Sequence, residues 1–197
     1  MTEDIVALDA RAVRASMRVV AEVTDADLGR PTPCAGWTLA DLIAHMTGQH
    51  EGFAAAARGE GADLSHRAPR DSGPAGYAEA AERVLAAFAA DGVLDRKFSV
   101  PEISPRIAFP ARQAIGFHFL DYVVHGWDVA RSLGLGYDLE PDLLQAVYRG
   151  AMAVPGGERR LLPGAAFAPK ATTSADPGTL DATLALLGRD PEWRKLP

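Results

Sequence analysis

The segment 111–133, ARQAIGFHFLDYVVHGWDVARSL, constrains the fold of this chain most strongly. It follows Pro110 and precedes Gly134, and these two residue types are typical of the start and the end of a helix. Its apolar residues lie on several faces: Ile115, Phe119, Tyr122, Val123, Trp127 and Ala130. A helix that is apolar on several faces is buried by other elements. The segment therefore predicts one largely buried helix of a helical bundle.

Other segments carry apolar residues at helical spacing or helix-boundary signals. They span Asp4 to Val23, Leu39 to Arg58, Ala75 to Ala90, Asp142 to Val154, and Pro177 to Leu187. Thr38 followed by Asp41 is a weak capping box for the second of these helices. Asp176 is the expected N-cap of the last one, with Pro177 in its first turn. The fold class indicated is all-α.

Two connections break this pattern. Residues 60–74 have no apolar period, which predicts an exposed, mobile connection. Prolines at 101, 105 and 110 exclude a regular helix before the fourth helix and limit any strand to short pieces. For the domain organisation we expect a helical bundle over residues 1–160. We expect a C-terminal extension over 161–197, packed on the bundle through apolar residues of 161–187.

Composition excludes several classes of protein. The chain has one cysteine, Cys34, so an intramolecular disulfide or a cysteine-built zinc site is ruled out, and a reducing cytoplasm fits best. Twenty basic residues stand against 26 acidic ones, and neither sign forms a long block, so nucleic acid is not an expected partner. The apolar runs are far shorter than the roughly 20 residues that a membrane span needs. A soluble, cytoplasmic protein without a secretory signal is therefore expected.

Asp121 and His125 are candidate metal ligands. They are four residues apart in the predicted buried helix, so a carboxylate and an imidazole point the same way, one turn apart. His45 lies on or beside the buried stripe of the second helix and is the candidate third ligand. Three ligands from two helices leave coordination positions open for chemistry. The alternatives are an acid–imidazole pair on a helix surface and, for His45, a hydrogen-bonded core histidine.

Three further residues near these positions have competing interpretations. His118 shares a stripe with Asp121 and His125, and it could be a ligand, a support to the ligands, or a packed histidine. Asp128 could accept a proton from an imidazole nitrogen and so fix its tautomer, or it could pair with Arg131 or Arg112. For Cys34 an inert, buried thiol is favoured over a reactive one, because no basic residue or helix N-terminus is clearly aimed at it.

Three runs of sequence in combination resemble a known family. They are PTPCAGWTLADLIAHMTG at 31–48, HGWDVARSLG at 125–134, and GRDPEW at 188–193. Together they resemble DinB-like proteins related to the N-terminal domain of mycothiol-dependent maleylpyruvate isomerase. The resemblance implies a DinB/YfiT-like antiparallel four-helix bundle with an unusual connection order and, here, additional C-terminal helices. It also implies a divalent metal, zinc or nickel, held by His45, Asp121 and His125.

The isomerases typically have glutamate where this chain has Asp121, and the residues after the fifth helix are too few for their separate C-terminal domain. The resemblance implies a thiol-dependent transferase or isomerase that acts on a small electrophilic molecule, with mycothiol as the thiol cosubstrate. The alternatives are a metal-dependent hydrolase and a non-catalytic protein that binds metal or ligand or responds to stress. A third is a bundle whose three residues are satisfied by hydrogen bonds without metal. The expected partner is a small-molecule substrate, and a homodimer is one option for the oligomeric state.

Overall fold

A computed structural model of the chain describes residues 4–70, 73–161 and 167–194, with the side chain of residue 159 left out. Within these ranges the helices are α1 (Ile5–Val20), α2 (Leu39–Arg58), α3 (Gly73–Phe88), α4 (Ala111–Leu133), α5 (Pro141–Ala153) and α6 (Leu180–Leu186). Two short strands, β1 (Lys97–Ser99) and β2 (Ala108–Pro110), lie between α3 and α4. The predicted all-α class is confirmed.

The boundaries of α2 and α4 follow the predicted signals. The Thr38 hydroxyl accepts a hydrogen bond from the backbone of Asp41, and the Asp41 carboxylate accepts one from the Thr38 backbone, which completes the capping box. Helix α4 starts directly after Pro110 and ends at Gly134, whose φ of 76° is in the left-handed region that glycine adopts without strain.

The predicted start of the last helix is wrong. Helix α6 begins at Leu180, and its N-cap is Thr179, whose hydroxyl accepts a hydrogen bond from the backbone of Ala182. Gly178 has a φ of 85°, so the chain turns there and a helix cannot continue from Pro177 into α6.

Helices α1 to α4 form a ring. Helix α1 packs against α4 and α3, and helix α2 packs against α3 and α4. The order around the ring is therefore α1, α4, α2, α3. Helix α1 lies diagonally opposite α2, and α3 lies diagonally opposite α4. This arrangement places α2 beside α4, the two helices that carry the candidate ligands.

The core of the bundle contains the side chains expected there. Five of the six predicted core residues are fully or nearly fully buried, and Leu85 is half-buried. The buried five are Leu42, Ile43, Val84, Phe119 and Val123. Strands β1 and β2 pair antiparallel, with Phe98 opposite Phe109, and both rings belong to an apolar cluster with α2, α3 and α4. The proline-rich crossover thus forms strands of three residues each, as its prolines allow.

The connection after α2 is buried at Gly61 and at Arg67, contrary to its prediction. Residues 64–67 form a 3-10 helix, and Arg67 is only 5% exposed. The Arg67 guanidinium lies 4.5 Å from the centre of the Phe53 ring and donates to the Gln49 side chain at 3.0 Å. The expectation of an exposed, mobile connection is therefore wrong at Arg67, because a lone arginine in a polar stretch gives no periodic signal. Residues 62–65 and 68–70 are exposed, as predicted.

The chain divides into two compact units, Met1–Leu135 and Gly136–Pro197. The first contains α1 to α4. In the second, α5 packs against α6, and the Arg160 guanidinium donates to the carbonyl oxygens of Pro155 at 2.9 Å and Leu186 at 2.6 Å. Leu162, one of the residues expected to contact the bundle, lies outside the described residues, and the packing of the C-terminal extension on the bundle stays a prediction. None of the described helices is long and apolar enough to cross a membrane.

Candidate metal centre

His45, Asp121 and His125 come together where α2 packs against α4. One potential ligand atom from each lies within 4.8 Å of the others. His125 Nε2 is 3.4 Å from Asp121 Oδ1, and the rings of His45 and His125 stand edge to face with their centres 5.3 Å apart. The structure thus brings together the three residues that the sequence singled out as candidate ligands.

These three side chains differ in exposure. His125 is 7% exposed, whereas His45 and Asp121 are half-buried, and the Asp121 side chain is 27% exposed. A group that is partly open to solvent can exchange a cation or a small molecule without unfolding of the bundle. Trp37, 37% exposed, lies beside the group with its ring 4.9 Å from the ring of His45.

Asp128 orients His125 from the interior. Its carboxylate is completely buried, and Oδ2 accepts a hydrogen bond from His125 Nδ1 at 2.9 Å. Because Nδ1 then carries the proton, the lone pair of the neutral ring lies on Nε2, which faces Asp121. This is the contact that the sequence suggested for Asp128.

Cys34 is the nearby residue whose placement sequence reasoning missed. Its thiol donates to Asp128 Oδ2 at 3.2 Å, and its sulfur is 4.0 Å from His125 Nδ1. The loop is held by Thr32, whose hydroxyl donates to the carbonyls of Cys34 and Trp37, both at 3.1 Å. The only hint in the sequence was the position of Cys34 three residues before Trp37, and nothing local tied either residue to α4.

His118 belongs to a different group of side chains. Its Nδ1 lies 2.7 Å from Asp9 Oδ1, and its Nε2 lies 3.1 Å from His50 Nδ1. Both ring nitrogens are thereby used away from Asp121 and His125, which favours the packed-histidine interpretation of His118. His50, for which the sequence gave no interpretation, is completely buried in the same group.

Burial and neighbouring charge set the proton affinities of the two histidines of the candidate centre in opposite directions. Burial, and then the charge of His125, lower the pKa of His45 to about 4, against the opposing effect of Asp121. For His125, burial favours the neutral ring, but Asp121, Asp128 and the hydrogen bond with Cys34 outweigh it and raise its pKa well above the ordinary value. Burial thus favours the neutral form of His45, whereas the neighbouring carboxylates favour the charged form of His125.

Comparison with known proteins shows the family of this chain. Residues 10–130 match the family described as the mycothiol maleylpyruvate isomerase N-terminal domain. The chain belongs to this family. Two uncharacterized proteins of Mycobacterium tuberculosis, from strains CDC 1551 and H37Rv, are 32% identical to it over 181 residues. Each alignment covers 91% of this chain and 94% of the relative.

Solved structures support the same assignment at the level of the fold. The crystal structure of a mycothiol-dependent maleylpyruvate isomerase aligns with a TM-score of 0.56 and 16% identity, covering 76% of this chain and 67% of that one. A histidine-to-alanine mutant of such an enzyme aligns with the same TM-score, 14% identity and the same coverage. The DinB-like helical fold implied by the sequence motifs is therefore confirmed.

Proposed function

We propose that this family member holds one divalent metal ion through His45, Asp121 and His125. We further propose that it is a thiol-dependent transferase or isomerase acting on a small electrophilic molecule. The observation that carries the proposal is the convergence of two imidazoles and one carboxylate within 4.8 Å at a partly exposed place in a buried helical interface.

The donor set fits a metal such as zinc or nickel. Imidazole nitrogens with a carboxylate oxygen are ligands that zinc takes in catalytic sites, where three protein ligands leave the fourth position open. Asp128 supports this assignment, because a ligand histidine usually donates its other nitrogen to a carboxylate or a carbonyl.

The chemistry that such a metal supplies is activation of the sulfur of a low-molecular-weight thiol for attack on an electrophilic carbon. The family description names mycothiol, which makes mycothiol the proposed cosubstrate. The residues of the chain then have separate roles. Asp128 keeps the Nε2 lone pair of His125 turned toward the site. Asp121 supplies negative charge next to His125. Trp37 forms an apolar wall beside His45 that limits the access of water and the size of the electrophile.

The proposal is tested with cobalt in place of the native metal, in the Cys34→Ser variant so that the protein contributes no cysteine sulfur. The metal-free protein should take up close to one cobalt ion per chain. Adding mycothiol, or a simple thiol as its substitute, should then produce a sulfur-to-cobalt charge-transfer band. The matched control is the Cys34→Ser, His125→Ala double variant, in which the band should be absent.

Two results would contradict the proposal at different points. If the protein takes up no metal while it remains folded, the three residues are satisfied by hydrogen bonds and the metal site is excluded. If it takes up cobalt but shows no band at saturating thiol, the thiol-dependent chemistry is excluded, and metal-dependent hydrolysis or non-catalytic binding explains the site better.

A further inference from the structure

The side of His125 that faces away from Asp121 carries a second set of potential ligands. Cys34 Sγ, Asp128 Oδ2 and His125 Nδ1 lie within 4.8 Å of one another. The sulfur–oxygen distance is 3.2 Å, the nitrogen–oxygen distance is 2.9 Å, and the sulfur–nitrogen distance is 4.0 Å. We propose that these three residues form a second site, for a thiophilic divalent cation, which shares His125 with the group of His45, Asp121 and His125 but uses the other nitrogen of its ring.

The spacing of the donors suits a tetrahedral cation. Bonds of about 2.3 Å to sulfur and about 2.0–2.2 Å to nitrogen and oxygen place pairs of ligands roughly 3.3–3.6 Å apart. The three observed distances lie on both sides of this range, so shifts of a few tenths of an ångström in the Cys34 loop and the Asp128 side chain would close the site. The charge also matches, since a cysteine thiolate and the Asp128 carboxylate together neutralise a divalent ion.

The type of donor separates the two sites. A thiolate ligand favours soft cations such as cadmium or zinc, whereas the group of His45, Asp121 and His125 offers only nitrogen and oxygen. Asp128 is completely buried and His125 is 7% exposed, so a cation held there interacts strongly with both side chains. Cys34 is half-buried on a loop, which gives the cation a route to the site.

Binding at this site changes the proton balance in a defined way. The thiol proton of Cys34 leaves to solvent as the sulfur–metal bond forms. The charged His125 ring also releases its Nδ1 proton to solvent as the nitrogen–metal bond forms, and the neutral ring keeps its remaining proton on Nε2, 3.4 Å from Asp121 Oδ1. A neutral imidazole offers one lone pair at a time. A cation at Nδ1 therefore excludes the proposed catalytic metal at Nε2, so soft metals are expected to inhibit this protein through Cys34.

Cadmium titration of the metal-free full chain tests the site. Cys34 is the only cysteine in the chain, so any sulfur-to-cadmium charge-transfer band from the protein reports on this residue. The wild type should develop the band and saturate at one equivalent, and Cys34→Ser should show no band. Asp128→Asn keeps the shape of the side chain but removes its charge, and it should weaken cadmium binding at least tenfold, roughly 1.4 kcal/mol.

His45→Ala separates this proposal from the proposed function. That variant removes a ligand of the other site only, so the band should remain with an affinity within about threefold of wild type, whether or not the first site binds metal. Loss of the band in His45→Ala would make Cys34 a ligand of the first site and overturn a separate one. Absence of the band in wild type at saturating cadmium would also overturn it. If Asp128→Asn does not fold, cadmium NMR of wild type replaces it, and a chemical shift typical of sulfur as the sole protein donor would contradict the site.

Discussion

Helices α2 and α4 each contribute a histidine to two groups of histidine and aspartate side chains, and these groups differ in their exposure to solvent. The outer cluster consists of His45, Asp121 and His125, and the inner cluster of Asp9, His50 and His118. Helix α2 supplies a histidine to each cluster, and so does α4. The three inner residues are all completely buried, whereas two of the three outer residues are half-buried. Residue type alone therefore does not separate a candidate site from a structural network; exposure and the partners of the ring nitrogens do.

The inner cluster links three helices of the bundle. Asp9 of α1 contacts His118 of α4, and His118 contacts His50 of α2. The His50 ring stacks on Tyr122 with the ring centres 3.9 Å apart, and the Tyr122 hydroxyl donates to the Met46 carbonyl of α2. Such a network fixes how the helices pack against one another. In the outer cluster, by contrast, His45 forms ring contacts, but no hydrogen bond is observed for its side chain among the described residues. A ring nitrogen without a hydrogen bond is available to coordinate a metal ion, which agrees with the proposed role of His45.

The largest expected effect is the loss of metal affinity when a histidine of the outer cluster is replaced. His125→Ala should weaken metal binding by roughly 1000-fold, about 4 kcal/mol, because losing a supporting contact to a ligand already costs about 10–100-fold. The helical circular dichroism spectrum should be unchanged. Metal analysis after dialysis and competition with a chelator measure the affinity. Full retention of metal in this variant would remove His125 from the site.

His118→Ala should instead lower the stability of the protein and leave its metal affinity nearly unchanged. It leaves the Asp9 side chain buried without its imidazole partner, and an unsatisfied buried polar group typically costs about 1–3 kcal/mol. Urea denaturation should show this loss in the free energy of unfolding. The metal affinity of the protein that remains folded should stay within about threefold of wild type. A large loss of affinity with little loss of stability would instead place His118 among the residues that support the metal.

Two substitutions of Asp121 test whether its carboxylate is a metal ligand or only lies near the metal. Asp121→Ala should weaken metal binding about 100-fold, roughly 2.7 kcal/mol, and Asp121→Glu should weaken it less, because glutamate keeps the charge and restores the residue typical of the isomerases. Isothermal titration with zinc compares the two variants. Equal losses would mean that the carboxylate does not bind the metal.

Tyr122 and Tyr77 each make a hydroxyl contact between two helices, so the same substitution at the two positions can be compared. Both rings are completely buried, and the Tyr77 hydroxyl lies 2.6 Å from the Ser16 hydroxyl. Each tyrosine-to-phenylalanine change should lower the free energy of unfolding by about 1 kcal/mol. Tyr122 and Met46 are the sequence neighbours of Asp121 and His45, so only Tyr122→Phe should also weaken metal binding, by a fewfold. Equal metal affinities in the two variants would show that the Tyr122 contact does not hold the outer cluster in place.

The smallest predicted effect is a change in the pH dependence of stability. Burial and the nearby His118 lower the pKa of His50 well below 6.5. The unfolded chain therefore binds a proton near pH 6.5 that the folded chain does not, and stability decreases as pH falls below that value. In the metal-free protein, His50→Phe should show a shallower decrease between pH 6.5 and pH 5 by urea denaturation. Burial raises the pKa of Asp9 and gives the opposite trend, but Asp9 is present in both proteins. Identical slopes would contradict the assignment to His50.

Local signals predicted much of the fold and the three candidate ligands. Thr38, Pro110 and Gly134 fixed helix boundaries because caps and breakers act within a few residues. Asp121 and His125 lie within one helix, so their spacing was readable, and His45 was added because a metal site needs a third ligand. The contacts of Cys34 with Asp128, and of Asp9 with His118, join residues 94 and 109 positions apart. No periodic pattern encodes such pairs, since they depend on which helices become neighbours.

The order of helices around the ring has a consequence for how the protein is made. His45 and Asp121 lie on neighbouring helices, but the chain between them contains all of α3 and the strand pair. During synthesis α2 leaves the ribosome long before α4 does. Helix α1 also packs against α4, so α1 cannot complete its contacts until α4 has been made. Loops of this length close slowly compared with local helix formation. The candidate ligands are thus among the last parts of the bundle to come together, and under the proposed function metal uptake by a nascent chain would report that α2 and α4 have packed against each other.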